Sequence, residues 1–102
     1  MLLGAAMANG LYDPGSTIRL GANFRTQGAF ADPTTVTLKV KDPTGTVTTY
    51  THPATLTKDA VGRYHKDITP NTPGQWYYRY FATGAVEATI EETFRVRETV
   101  IA

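Results

Sequence analysis

His52 and His65 are the two histidines of this 102-residue chain, and Ser16 is its single serine. With the adjacent carboxylates Glu91 and Glu92, they are the residues on which chemistry could be built. A metal centre needs ligands at spacings that bring them onto one point. The histidines stand thirteen residues apart, and neither opens such a spacing. On a strand through GRYHKDIT, His65 alternates outward beside Arg63 and Asp67 and reads as a solvated surface residue. Ser16 follows a glycine in the turn DPGST, with no G-x-S-x-G elbow around it. Glu91 and Glu92 point to opposite faces of a regular strand. Glycoside hydrolysis instead needs two carboxylates facing each other across a cleft. The DPG, DPT and DPTG segments hold neither a phosphate loop nor EF-hand spacing. Cysteine is absent, so disulfides and thiolate metal sites are unavailable. The expectation is a non-enzymatic protein with no catalytic, cofactor or metal residues, since small sandwiches serve mostly as binding or structural modules.

The length fits one domain, with enough chain for one core. Hydrophobic residues make up 41% and charged residues 19%, a globular composition. The net charge is +1 and no segment carries a basic run, which argues against a nucleic-acid partner. The longest apolar run, MLLGAAMA, lacks a basic flank and is too short to cross a bilayer. Neither a signal peptide nor a membrane partner is expected. Met7 opens MANGLYDPG, which would serve equally well as a start. Residues 1–6 then read as an extension from an upstream start codon. Equally, they read as a sticky arm that docks Leu2, Leu3 and Met7 on a neighbouring subunit. The expected organisation is an N-terminal arm over residues 1–11 and a sandwich over 12–102.

The elements that position any site are strands. Threonine is the commonest residue, glycine and proline are frequent, and helical periodicity is missing. Period-2 alternation recurs instead. In TIRLGANF, Ile18, Leu20, Ala22 and Phe24 share a face. In TVTLKVK, Val36, Leu38 and Val40 face inward and Lys39 and Lys41 outward. Asp42-Pro43-Thr44-Gly45 forms a turn into TVTTYT. GRYHKDIT carries Tyr64 and Ile68 in register, and AVEATIEETFRVR carries Ala88, Ile90, Phe94 and Val96. With the aromatic stretch at residues 73–84, six strong strands result, with a seventh at residues 54–58 or before Ser16. The expected fold class is all-β, a single antiparallel Ig-like β-sandwich of about seven strands.

The aromatic stretch PGQWYYRYFATG, residues 73–84, divides by alternation. A short turn at Thr83-Gly84-Ala85 makes it the hairpin partner of the last strand, where Ile90 and Phe94 are apolar. Opposed residues point the same way. Trp76, Tyr78 and Tyr80 are therefore core, and Tyr77, Arg79 and Phe81 form the outer face. Lys39 and Lys41 flank that face if the strand order is the usual one. Exposed aromatics around an arginine are typical of contact surfaces. The alternative is that the arm or a loop covers them. Glu92 falls at an inward position, where an unpartnered carboxylate is costly. A bulge at Glu91-Glu92, tyrosine donors, or a pair with the inward Lys66 would each relieve it, and the bulge is favoured.

YDPGSTIRLGANF, DPTTVTLKVKDPTGTVTTY, GRYHKDITPNTPGQWYYRY and the final FRV together resemble the small bacterial Ig-like domains, including macroglobulin-like and fibronectin-like sandwiches. The resemblance covers residues 12–97. Its most specific pieces are Gly62-Arg63-Tyr64 and the PG-x-W-x-Y of Pro73 to Tyr78. More narrowly, the chain is similar to the stand-alone Ig-like virion proteins of tailed bacteriophages. Lys66 departs from the pattern, standing where a small or apolar residue is expected. The resemblance implies a structural protein of a phage particle, assembled in the host cytoplasm. It would act as capsid decoration or as a neck or tail accessory, docking on virion proteins or on its own copies. The alternative is a secreted or surface binding module for carbohydrate or protein. The thin edge TVTTYT offers strand addition as another route to assembly.

Overall fold

The structure is a computed structural model that describes residues 10–84 and 86–98, all of them non-helical. Among the described residues ten strands form in chain order: β1 (Leu11–Tyr12), β2 (Ile18–Asn23), β3 (Arg25–Thr26), β4 (Ala29–Phe30), β5 (Thr35–Lys41), β6 (Val47–Thr51), β7 (Thr57–Ala60), β8 (Arg63–Ile68), β9 (Gly74–Thr83) and β10 (Ala88–Val96). They build a β-sandwich. One sheet has the order β1-β10-β9-β5-β6 and the other β2-β8-β7, with β3-β4 as a separate hairpin. This is the strand order of an immunoglobulin-type sandwich. Every pair is antiparallel except β1 on β10, which is parallel.

The count exceeds seven because several additions are very short. Both sites considered for a seventh strand form one: β1 lies before Ser16, and β7 starts at Thr57. Gly10 and Leu11 belong to the sheet, since the Gly10 carbonyl accepts from the Arg95 amide at 2.9 Å. The β3–β4 hairpin was not expected from the sequence. It turns through Gln27 and Gly28, both at positive φ (52° and 82°), as a two-residue hairpin demands.

Alternation fills the core as expected. Ile18, Leu20, Ala22, Phe24, Val36, Leu38, Val40, Tyr64, Tyr78, Tyr80, Ile90, Phe94 and Val96 are all buried. The Tyr80 hydroxyl donates to the Leu20 carbonyl and so ties one sheet to the other. Burial holds that phenol well above its ordinary pKa. Trp76 differs from expectation, being only half-buried. It sits at one end of the sandwich, stacked on Phe94 at 5.7 Å between ring centroids. Its Nε1 donates to the Thr72 carbonyl at 2.9 Å.

The expected bulge at Glu91-Glu92 is not formed. The β9–β10 register runs unbroken from Ala88↔Ala82 to Val96↔Gly74. Glu92 keeps its inward position opposite Tyr78 yet is only half-buried. The physical reason is its place in the sheet. Described β1 flanks β10 only at Arg95 and Val96, so Glu92 stands on a stretch near the rim. Nor does it pair with Lys66. That ammonium lies over the Tyr50 ring, 4.9 Å from its centroid, on the β6 side of the sandwich.

Candidate functional site

Residues of β5, β9 and β10 that alternate away from the core share the outer face of the five-stranded sheet. The register sets them in rows. Lys41 opposes Tyr77, which opposes Thr93; Lys39 opposes Arg79, which opposes Glu91; Thr37 opposes Phe81, which opposes Thr89. Tyr77, Arg79, Phe81, Lys39 and Lys41 are therefore brought together on one surface. Leu2, Leu3 and Met7 lie outside the described residues.

Tyr77 is 43% exposed and Val47, at the β6 margin, 52%. Phe81 is half-buried beneath two cations. The Arg79 guanidinium lies 5.3 Å and the Lys39 ammonium 5.7 Å from its ring centroid. Such contacts hold cations over a ring while leaving their charge available. Arg79 Nε also donates to Glu91 Oε1 at 2.7 Å across the β9–β10 ladder. Around these rows lies a shallow depression of about 380 Å³.

The face is basic. Lys39, Lys41, Arg79 and Arg95 are exposed on it, against Glu91 as its carboxylate. The whole chain holds 10 cationic and 9 acidic side chains, so the rest of it is net acidic. Glu91 and Arg95 were missed as members of the face. The alternation that assigned Ile90 and Phe94 inward would have found them.

Elsewhere, side chains gather for structural ends. Asp32 accepts from Lys58 Nζ at 2.7 Å, the Gly62 amide at 2.8 Å and the Tyr64 hydroxyl at 3.2 Å. The Lys58 and Gly62 bonds hold its carboxyl below the usual pKa. Burial first, and the Asp32 charge second, push the Tyr64 phenol up to about 12. The sequence showed nothing of this latch, because its members come from a loop, β7, a turn and β8.

His65 is less solvated than its alternation implied. It is half-buried, with Nδ1 2.7 Å from Asp59 Oδ2 and Nε2 4.0 Å from Asp67 Oδ2. Among the described residues no three His, Cys, Asp or Glu side chains gather as a metal site. The β3–β4 hairpin holds a further cluster that sequence reasoning missed. Arg25 and Arg63 approach the Phe30 ring to 4.2 Å and 5.4 Å. Gln-Gly is a weak hairpin signal, and it hid the element that presents Phe30.

No protein-family model matches the chain, and none of the curated proteins does. A solved structure does resemble it: the chitinase ChiW of Paenibacillus sp. str. FPU-7, a bacterial cell-surface-expressed multi-modular enzyme. The likeness has a TM-score of 0.64 at 16% identity, and it covers 94% of this chain and 8% of that enzyme. At that identity the likeness is one of fold: a β-rich domain resembling one module of a much longer protein.

Proposed function

We propose that this chain is a non-enzymatic docking protein that binds an acidic protein surface on the outer face of β5, β9 and β10. One observation carries the reading: Lys39, Lys41, Arg79 and Arg95 share one sheet face with Tyr77 and Phe81. Aromatics and arginine are the residue types enriched where proteins meet. A basic field speeds encounter with an acidic partner. Two copies packed face to face would oppose like charges, so a different protein suits this face better than a second copy.

The setting we propose is a tailed-phage particle, with the chain as an accessory of capsid, neck or tail. The sequence resemblance supports it. The double variant Arg79→Ala, Phe81→Ala tests the docking. It should keep the fold, since both side chains point outward, and should fail to join the particle. A folded variant that assembles normally would refute the face as the contact.

A second reading, a surface module that binds carbohydrate, is favoured by the exposed Tyr77 ring and by the resemblance to a module of a cell-surface chitinase. The geometry around Phe81 weighs against it. A sugar needs a bare ring to stack on, and Lys39 and Arg79 already lie over this one. Binding to a glycan panel that Tyr77→Ala abolishes would favour the second reading over the first.

A further inference from the structure

The edge of the same sheet carries a second site. We propose that β6 accepts an extended acidic segment of a partner protein by strand addition, its carboxylate seated beside Lys66 in the cleft between the sheets. Apart from Val47 at the margin they share, the site stands on different residues from the outer face.

The backbone argument comes first. Strand β6 ends the order of its sheet, with β5 as its neighbour. The Asp42 amide donates to the Thr46 carbonyl at 3.0 Å, and the His52 amide to the Val36 carbonyl at 3.1 Å. Antiparallel pairs alternate between bonded and non-bonded. In this register Thr48 and Tyr50 therefore turn their backbone groups to β5, while Val47, Thr49 and Thr51 turn theirs outward. Thr51 is satisfied within its own turn: its amide donates to Thr55 Oγ1 and its carbonyl accepts from the Thr55 amide, both at 2.8 Å. Among the described residues Val47 and Thr49 are left, two residues apart, each offering an N–H and a C=O. That is the spacing at which an incoming strand bonds. No lysine, proline or bulge guards this edge, the usual devices against pairing.

The side chains argue for what the segment carries. Thr48 and Tyr50 share the inward face of β6 and line a cleft of about 360 Å³ with Lys66 and Trp76. The cleft opens sideways because β7 pairs with β8 only over Arg63 to His65, so Lys66 lies past the end of that pairing. Lys66 is half-buried and faces Tyr50, with no carboxylate of a described residue in ion-pair range. The two carboxylates that line the cleft are engaged elsewhere. Asp67 accepts from Arg19 at 3.0 Å, and Asp42 accepts from the Thr44 and Thr46 amides at 3.0 and 2.9 Å. In an added strand, the residue opposite Tyr50 points the same way as Tyr50, into the cleft. A glutamate there meets a cation partly shielded from water, where attraction exceeds its value at an open surface. Edge-to-edge pairing of two copies would bring two such lysines toward one another instead.

The test uses amide spectra of the ¹⁵N-labelled full chain. The probes are the synthetic peptides acetyl-Thr-Val-Glu-Val-Thr-amide and its Gln counterpart, at millimolar concentration. The expected result is shifts centred on Val47 and Thr49, with the Glu peptide bound about fivefold tighter than the Gln peptide. Lys66→Met should erase that difference while leaving both peptides bound. Thr49→Pro should abolish binding, since it removes one outward N–H and no ladder bond. Shifts elsewhere, equal affinity for the two peptides, absence of binding, or dimerisation through Val47 and Thr49 would each overturn the proposal. Arg79→Ala, Phe81→Ala should bind both peptides as the parent does, which separates failure here from failure of the outer face.

Discussion

Lys39 and Arg79 stand directly opposite one another across the β5–β9 ladder, two cations side by side on an exposed sheet face. Like charges in that position destabilise a sheet. Glu91 relieves Arg79 from the far side, and among the described residues Lys39 has the Phe81 ring and no carboxylate in ion-pair range. A pair that costs stability is consistent with selection for what it binds.

Lys39→Thr should therefore stabilise the isolated domain by about 0.2–1 kcal/mol. Urea denaturation of parent and variant would read this as a higher midpoint at unchanged slope. The same variant should bind the acidic partner more weakly, with a shallower dependence on salt. A loss of stability would mean that the Phe81 contact outweighs the repulsion.

Asp32→Asn should cost about 1–2 kcal/mol, because the charged acceptor of Lys58 and of the part-buried Gly62 amide is lost. The pH dependence has a definite sign. The Asp32 carboxyl is held below its ordinary pKa, so the unfolded chain binds its proton more readily. Its contribution is present above about pH 4 and is lost as pH falls through the lower folded value. Asp67, held down by Arg19, adds in the same direction. Thermal melts between pH 2 and pH 6 should show a weaker acid-side fall in Asp32→Asn than in the parent.

Tyr80→Phe should destabilise by about 1–2 kcal/mol. It deletes one buried hydroxyl and leaves the Leu20 carbonyl without that donor, while the ring still fills its place in the core. A near-neutral result by calorimetry would show that the link between sheets contributes little.

Gly62→Ala should be the costliest of these single changes, at about 2 kcal/mol or more. Gly62 has φ +73°, and a Cβ there would sit 2.5 Å from the Phe24 carbonyl and 2.9 Å from that of Ala31. Both obstacles are backbone, so neither can move aside cheaply. A circular-dichroism melt that matches the parent would contradict the close approach.

The sheet faces were legible because one period, two, governs every long strand. It placed Val36, Leu38 and Val40 inside and turned Lys39, Lys41, Tyr77 and Arg79 outward, whereas the adjacency of those lysines to Tyr77 and Arg79 comes from the strand order. What alternation cannot see is where a strand lies in the sandwich. Trp76 and Lys66 both carry inward positions, yet both line the cleft, because the sandwich is open there. The same ignorance made a bulge the favoured relief for Glu92, which needs none near the rim. Asp32 was invisible for another reason. Its partners Lys58, Gly62 and Tyr64 are remote in sequence, and no pattern links a loop carboxylate to a turn amide.

The most direct test of the docking face is photo-cross-linking in the cells that produce the protein. A photoreactive phenylalanine analogue would replace Tyr77 in one variant and Arg19, exposed on the opposite sheet, in another. The docking account predicts a discrete covalent adduct with an acidic partner from position 77 and none from position 19. Adducts that form equally at both positions, or only at position 19, would contradict it.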